Sequence, residues 1–188
     1  MNYPIIIGGS AGSFKIISRM IPALKPGFTF PIVICVHRQR TASDSFIVAL
    51  GNNRAVPISE ASDQGEIAVG NVYVAPANLH LVFRNPGAFA THSEEPVNYS
   101  RPSIDVTFLS AAEIYREKVI GILLSGANSD GAEGMKAISE AGGITIVQDP
   151  LDAEIPLMPQ SAVDSFQPTY VMTADKIINF IGNLTSPS

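Results

Sequence analysis

The stretch from Pro4 to Lys15, Pro-Ile-Ile-Ile-Gly-Gly-Ser-Ala-Gly-Ser-Phe-Lys, decides the fold of this chain. It divides into a short apolar run, a glycine-rich turn and the start of an amphipathic segment. The run from Ile5 to Ile7 is β-branched throughout and does not alternate with polar residues, which is typical of a strand buried on both faces of a parallel sheet. After the turn, apolar residues recur at helical spacing: Phe14, Ile17, Met20, Ile21 and Leu24. The stretch therefore predicts a strand, a tight turn and a helix.

The same order of strand, polar loop and helix recurs along the chain. Further buried strands are predicted at 31–36 and 119–124, other strands at 55–59, 143–147 and 170–172, and helices at 43–50, 104–115, 132–141, 158–166 and 174–184. The segments Val72–Ala75, Leu79–Phe83 and Ala88–Thr91 instead suggest an antiparallel meander. We therefore predict an α/β fold: a doubly wound, mostly parallel, Rossmann-like sheet flanked by helices, with a hairpin or meander at one edge.

Length and composition indicate one domain, residues 1–188, with an ordered core from about residue 3 to 184. The chain has 188 residues, 46% of them hydrophobic, which is enough for one well-filled core. A net charge of −5 without a dense Lys/Arg block argues against non-specific nucleic-acid binding. The single cysteine, Cys35, lies in an apolar run and is predicted to be a core residue in a reducing compartment. Without a signal peptide or a long apolar segment, we expect a cytoplasmic protein with no membrane insertion.

The turn Gly8-Gly9-Ser10-Ala11-Gly12 fits the G-x-S-x-G nucleophile elbow, whose glycines let the backbone bend sharply and expose the serine hydroxyl. Ser10 is therefore the candidate nucleophile, and the N–H groups of the helix start favour an oxyanion beside it. The alternative is that Ser10 only caps the helix. A dinucleotide-binding turn is disfavoured because the later glycines of its pattern are missing, and a P-loop because no Gly-Lys-Ser/Thr follows.

Two further residues are candidates to act with Ser10. His37 ends the second strand, and because neighbouring parallel strands lie about 4.8 Å apart, residues just past two such strands can touch. The alternative for His37 is a ring held by backbone groups in a loop. Asp130 follows the strand at 119–124 and could orient His37 and stabilise its charged form. The alternative for Asp130 is a capping box with Glu133.

The other polar residues near these strands have weaker functional interpretations. His80 alternates with apolar neighbours and is predicted to be structural, and His92 lies in a polar loop. Arg38, Gln39 and Arg40 form a short polar rim that is either solvated or a docking patch for an acidic partner.

Several motifs occur together in one order along the chain. They are Gly-Gly-Ser-Ala-Gly at 8–12, His37, Val-Tyr-Val-Ala-Pro at 72–76 with Asn78 and His80, Arg-Pro-Ser-Ile-Asp at 101–105, Leu-Ser-Gly and Ser-Asp-Gly between 124 and 131, Gly134-Met135, Ala141-Gly142-Gly143 and Met158-Pro159. In this order they resemble the catalytic domain of the chemotaxis receptor methylesterase CheB, over essentially the whole sequence. The resemblance implies a serine hydrolase that cleaves γ-glutamyl methyl esters on receptor helices, and in some members deamidates glutamine, with Ser10, His37 and Asp130 as its triad.

The same resemblance implies how the site would work and with what. Oxyanion donors would come from the N–H groups of Ala11 and of the loop Gly126, Ala127 and Asn128, and no metal or organic cofactor would be needed. The expected partner is a methylated chemoreceptor-like protein. The usual phosphoacceptor receiver domain is not in this sequence, so a separate regulatory or receiver protein is the expected means of control. Departures from the family pattern occur at Ser13, Val36, Ala127 and Leu157, and they bear on loop shape, rate and substrate fit.

Two other functions remain open at this stage. The chain could be a non-catalytic CheB-like binding or regulatory module, which the departures from the family pattern motivate. It could also be a phosphate- or nucleotide-binding protein that uses its two glycine-rich helix starts, with Arg38 and Arg40 as anion ligands.

Overall fold

The computed structural model describes residues 3–38, 43–51 and 56–184, without the side chains of residues 43–45. The strands are β1 Ile5–Gly9, β2 Ile32–Val36, β3 Ile58–Glu60, β4 Val72–Val74, β5 His80–Asn85, β6 Ala88–His92, β7 Ile120–Leu123, β8 Ile144–Gln148 and β9 Tyr170–Met172. The helices are α1 Ser13–Ala23, α2 Ser43–Leu50, α3 Ile104–Tyr115, α4 Ala132–Glu140, α5 Leu157–Ser165 and α6 Ala174–Gly182. Within the described ranges, no helix is long and apolar enough to cross a membrane.

Seven strands form one parallel sheet in the order β3-β4-β2-β1-β7-β8-β9. Successive side chains of the buried strands point to opposite faces. Ile5 and Ile7 pack in the cluster that contains α1, α2 and α6, whereas Ile6 packs in the cluster that contains α3, α4 and α5. The predicted α/β class, with a mostly parallel sheet flanked by helices, is confirmed.

The antiparallel part differs from the prediction. Val72–Val74, expected to begin a meander, is the parallel strand β4, which pairs with β2 and β3. β5 and β6 form a separate two-stranded sheet that packs on the face of the main sheet with α3, not at its edge. Leu81, Phe83 and Phe89 of this hairpin are buried there. The hairpin therefore packs beside α3 on one face of the main sheet.

Two apolar helix positions, one of them Phe14 of the predicted apolar face, are partly exposed. Phe14 of α1 is 40% exposed and makes an edge contact with Phe46 at a centroid distance of 5.3 Å, and Leu109 of α3 is 46% exposed. Each lies next to a buried residue, Ser13 and Phe108 respectively, so the buried stripe of each helix is narrower than the apolar pattern suggests.

The strand order places the carboxyl ends of β1, β2 and β7 side by side. The chain runs outward from β1 to β2 on one side and to β7 and β8 on the other. This is a topological switch point, where open α/β sheets leave a crevice for a ligand. The loops that carry Ser10, His37 and Asp130 all leave the sheet there.

Candidate active site

Ser10 is the first residue after β1, and hydrogen bonds fix the backbone around it. Its N–H donates to the Ser125 carbonyl at 2.9 Å, and its own carbonyl accepts from the Ser13 hydroxyl at 2.6 Å. Gly12 follows with φ 85°, in the left-handed region that favours glycine, and a Cβ there would lie 2.6 Å from Ser125 Oγ. The Ser10 hydroxyl has no hydrogen-bond partner among the described residues, so the turn is held without using the side chain of the candidate nucleophile.

The alternative role for Ser10, a helix cap, is wrong. The N-cap of α1 is Gly12, and no side chain forms a capping hydrogen bond there. Ser13, one of the departures from the family pattern, is buried and supplies the hydroxyl that holds the Ser10 carbonyl. This departure therefore supports the elbow instead of disturbing it.

His37 lies beside Ser10 and is hydrogen-bonded to Asp130. The register of β1 and β2 pairs Gly9 with Val36, so Ser10 and His37 are the next two residues beyond the paired ends. The ring Nε2 of His37 lies 2.7 Å from Asp130 Oδ2. Asp130 is fully buried, and the His37 side chain is 16% exposed. Within the described residues no hydrogen bond joins the Ser10 hydroxyl to His37.

The tautomer of His37 follows from the carboxylate beside it. An ionised carboxylate only accepts hydrogen bonds, so the hydrogen lies on Nε2 and the lone pair on Nδ1. Among the described residues, Nδ1 makes one long contact, 3.5 Å, with the Ser100 hydroxyl. It is also the ring nitrogen nearer the backbone, which suits a serine at the end of the adjacent strand. Nδ1 is therefore the atom of His37 able to take a proton.

Asp130 caps the start of α3. Its carboxylate accepts from the Ser103 hydroxyl at 2.8 Å and from the N–H groups of Ile104 at 2.8 Å and Asp105 at 3.0 Å. Burial opposes its ionisation, but the hydrogen bonds from His37 and from these groups outweigh burial and lower its pKa below the usual 3.8. The carboxylate that orients His37 is thus kept ionised.

The local capping box expected for Asp130 is wrong. The N-cap of α4 is Gly131, again without a side-chain capping bond. The carboxylate that accepts from the α4 start is Asp105, whose Oδ1 takes the N–H groups of Gly131 at 2.9 Å and Gly134 at 2.8 Å. A Cβ at Gly134 would lie 2.4 Å from Phe108 Cβ, so glycine there lets α3 and α4 approach closely. The start of α3 is therefore held by a carboxylate from the loop before α4, and the start of α4 by a carboxylate from α3.

The side chain of Asn98 bridges the carboxylates of Asp105 and Asp130. Its side-chain nitrogen donates to Asp105 Oδ2 at 2.9 Å and lies 3.4 Å from Asp130 Oδ1. Burial, together with the charge of Asp130, raises the pKa of Asp105 from 3.8 to about 6, although the N–H groups of Gly134 and Gly131 act in the opposite direction. The pair therefore combines one carboxylate that stays ionised with one that takes up a proton near pH 6.

Replacing Asp105 with Asn is expected to remove a pH dependence of stability. Between about pH 4 and pH 6 the folded chain keeps a proton on Asp105 that the unfolded chain has lost, so the free energy of unfolding falls as pH rises. A pKa raised to about 6 corresponds to about 2–3 kcal/mol over this range. Urea unfolding of both proteins at several pH values measures it. A difference between wild type and Asp105→Asn that is constant with pH would contradict the expectation.

Of the four residues expected to supply oxyanion donors, one already donates its backbone N–H to another residue. The Gly126 N–H donates to the Ile155 carbonyl at 3.1 Å, so that donor is already used and the expectation fails for Gly126 in this conformation. The N–H groups of Ala11, Ala127 and Asn128 donate no hydrogen bond to any residue in the described part of the chain. Ala11 and Ala127 are exposed, and Asn128 is half-buried. These three donors are open to a substrate.

A cleft of about 250 Å³ opens beside the candidate base. Its lining residues come from the end of β2, the β4–β5 turn and the segment 96–101, and they are His37, Arg38, Asn78, Pro96, Tyr99, Ser100 and Arg101. The sequence did not single out Asn98, Tyr99 or Ser100, which lie in an exposed polar loop without a recognisable pattern. Only their position next to the Arg-Pro-Ser-Ile-Asp motif could have drawn attention to them.

Arg38 is not the solvated residue that the sequence suggested. Its side chain is 3% exposed; it donates to the Glu60 carboxylate at 3.2 Å and to the Ala75 carbonyl, and it lies over the Phe46 ring. Gln39 and Arg40 lie outside the described residues. Arg38 donates to the Glu60 carboxylate, and an N–H group at the start of α4 donates to the Asp105 carboxylate. One of the two arginines and one of the two helix starts of the hypothetical phosphate site therefore already bind a carboxylate of this chain. A phosphate-binding function is therefore disfavoured.

His80 is buried, as the sequence predicts for a structural histidine. Its Nδ1 accepts from the Ser103 N–H at 3.2 Å, and its Nε2 lies 3.1 Å from the Glu95 carbonyl. Both ring nitrogens are used, so His80 supports the start of α3 and takes no part in proton transfer.

Comparisons with known proteins agree with this arrangement. The chain is 46% identical over 178 residues to a Leptospira interrogans protein provisionally named protein-glutamate methylesterase/protein-glutamine glutaminase, covering 94% of this chain and 92% of that one. It is 36% identical over 187 residues to protein-glutamate methylesterase/protein-glutamine glutaminase 2 of Vibrio vulnificus, covering 97% of this chain but 54% of the relative, so it spans about half of that protein. The crystal structure of the Thermotoga maritima CheB methylesterase catalytic domain superposes with a TM-score of 0.92 at 30% identity, covering 98% of this chain and all of that one. The family model for CheB methylesterase matches residues 5–181, and the chain belongs to that family.

Proposed function

We propose that this chain is a protein-glutamate methylesterase, a serine hydrolase that removes methyl esters from glutamate side chains. The observation that carries the proposal is the His37 ring, held by buried, ionised Asp130 next to Ser10 at the switch point of the sheet. A neutral imidazole with one nitrogen tied to a carboxylate and the other open is the arrangement that lets a serine hydroxyl lose its proton. The names of the relatives in the same family support this choice of substrate.

In the first half of the reaction Ser10 Oγ attacks the ester carbonyl carbon while His37 Nδ1 takes its proton. The negative charge that develops on the carbonyl oxygen would be stabilised by the open N–H groups of Ala11, Ala127 and Asn128, where one donor is worth roughly 3 kcal/mol. The C–O bond to the methoxy group then breaks, and His37 returns the proton to form methanol. Ser10 is left esterified by the glutamyl group.

In the second half a water molecule attacks the acyl-enzyme, and the same ring takes the proton of the water. The Ser10 oxygen leaves and recovers a proton from His37, which releases the glutamate carboxylate. Asp130 stabilises the charged imidazole in both halves without itself taking the proton. We propose methylated chemoreceptor-like proteins as the substrates, which is the substrate class that the resemblance to CheB methylesterases implies.

Labelling with a fluorophosphonate tests this proposal directly. The reagent reacts only with an activated serine, by loss of fluoride, so we expect one adduct per folded chain, located at Ser10 by peptide mass mapping. The same protein unfolded in urea is the control and should not react. A folded chain that stays unlabelled would exclude the triad and favour a non-catalytic binding module.

Deamidation of glutamine is a second candidate activity. The names of the relatives pair the methylesterase with a protein-glutamine glutaminase. The steps would be the same, except that ammonia leaves in place of methanol and takes its proton from His37. Release of ammonia from a glutamine-containing receptor peptide, dependent on Ser10, would show it.

A further inference from the structure

The loop beside the cleft is a tight two-residue turn with an unusual residue at its tip. Val97 and Ser100 exchange backbone hydrogen bonds at 3.2 and 2.9 Å, and the two residues between them both have positive φ, 51° at Asn98 and 60° at Tyr99. Such φ values are expected of a type I′ turn, where asparagine and glycine are favoured. Asn98 suits its position, but a bulky aromatic residue with positive φ is uncommon. The chain therefore keeps a tyrosine where glycine would be relaxed, and strain of this kind is often retained for function.

The loop is fastened at its tip and at its base. The Asn98 side chain donates to the buried carboxylate of Asp105 at 2.9 Å. At the base, Arg101 donates to Asn78 Oδ1 at 2.8 Å and to the Ser93 carbonyl at 2.7 Å. A loop tied down at both places holds the residue at its tip in a fixed position, which lowers the entropic cost of binding through that residue.

Tyr99 itself binds nothing within the described chain. Tyr99 is fully exposed, its hydroxyl makes no hydrogen bond and its ring touches no other aromatic ring among the described residues. Tyr99 nevertheless lines the same cleft as His37. A rigidly presented, fully exposed aromatic side chain next to a catalytic base is placed to contact a substrate.

The size of the cleft determines which part of a substrate Tyr99 would meet. At about 250 Å³ it is far too small to hold a protein substrate, so only a small part of the substrate can enter it. The remainder of a protein substrate must lie outside the cleft, on its rim. Tyr99 is exposed on that rim.

We propose that Tyr99 is a specificity-determining residue that binds the protein segment next to the methylated glutamate. Its ring packs on an aliphatic side chain one helical turn away from the ester, where residues three or four positions apart share a helix face. This inference rests on the proposed methylesterase function and adds to it the part of the substrate that is recognised outside the cleft. Tyr99 has no role in the chemical step.

The test compares a helical and a minimal substrate on wild type, Tyr99→Gly and Tyr99→Phe. The first substrate is a synthetic helical peptide with one γ-methyl glutamate and a leucine four residues away; the second is N-acetylglutamate γ-methyl ester. We expect Tyr99→Gly to raise KM for the peptide about tenfold and to leave kcat/KM for the small ester within about twofold. Tyr99→Phe should behave as wild type on both substrates. Because glycine relaxes the turn, the melting temperature of Tyr99→Gly should not fall.

A matched peptide with serine in place of the leucine is the control, and on it Tyr99→Gly should have little effect. Peptide kinetics within about twofold of wild type for Tyr99→Gly would overturn the inference while leaving the methylesterase proposal intact. An equal loss on the small ester would also overturn it, since Tyr99 would then act through His37. A wild-type chain that hydrolyses neither substrate would overturn the methylesterase proposal, and this inference with it.

Discussion

Replacing Ser10 with Ala is expected to lower the turnover of a methylated peptide by about 10⁴-fold or more while leaving the fold intact. The loss is large because the hydroxyl oxygen forms the covalent intermediate, and neither His37 nor the oxyanion donors can replace it. Stability should change by less than about 0.5 kcal/mol, because the side chain is only partly buried and its hydroxyl has no partner among the described residues. Methanol release and urea unfolding measure the two quantities on the same preparation.

Ser13→Ala is the matched control, since it removes a hydroxyl three residues further along the chain, at the start of α1. Ser13 is buried and donates to the Ser10 carbonyl at 2.6 Å, so its loss should cost about 1 kcal/mol of stability. Turnover should fall far less than in Ser10→Ala, and fluorophosphonate labelling of Ser10 should persist. If Ser10→Ala keeps turnover within about tenfold of wild type, Ser10 is not the nucleophile and the proposed mechanism is wrong.

The positions of Ser10 and His37 could be predicted because each follows a local pattern that also fixes the fold. Ile5–Ile7 and Ile32–Val36 are unbroken buried strands, and parallel pairing brings the residues after them to one edge of the sheet. The loop that carries Asp130 follows β7, which pairs with β1 on the other side. The pairing of β1 with β2 and β7 therefore brings the three loops to one edge of the sheet.

The hydrogen-bond network around Asp130 could not be predicted, because it joins segments that are distant in sequence. A capping box is a local pattern, and Glu133 three residues after Asp130 satisfies it. In the structure α3 and α4 approach closely at Gly134, so Asp130, in the loop before α4, accepts from the start of α3, and Asp105 of α3 accepts from the start of α4. Only the packing of these two helices reveals that exchange.

The wrong assignment of Val72–Val74 has a similar cause. Four apolar residues, Val72–Ala75, before a Pro-Ala-Asn turn are too short a run to distinguish a hairpin strand from a buried parallel one. All four are buried, and β4 lies between β2 and β3. Which neighbour a short strand takes is decided by the rest of the sheet, not by the strand itself.

Replacing Asp130 with Asn is expected to lower both activity and stability. Among the described residues, all the partners of its carboxylate are donors: His37 and Ile104 on Oδ2, and Ser103, Asp105 and, at 3.4 Å, Asn98 on Oδ1. An amide presents its NH₂ group to one of these two sets, so at least two buried donors there lose their acceptor, at about 1–3 kcal/mol each. The free energy of unfolding should fall by about 2–5 kcal/mol. Activity should fall by about 10⁴-fold, because the ring loses the carboxylate that fixes its tautomer and stabilises its charge.

Glu133→Gln separates the two effects, because it neutralises an exposed carboxylate three residues after Asp130, in the first turn of α4. It should cost less than about 1 kcal/mol and leave turnover unchanged. Asp130→Asn should be assayed without urea and at a temperature at which it is fully folded. Any loss of activity then comes from the chemical step and not from unfolding. If turnover then returned to within about tenfold of wild type, Asp130 would be a helix cap alone and His37 would need no carboxylate. A low turnover in the folded variant instead requires that the carboxylate act on the ring, since α3 is then still in place.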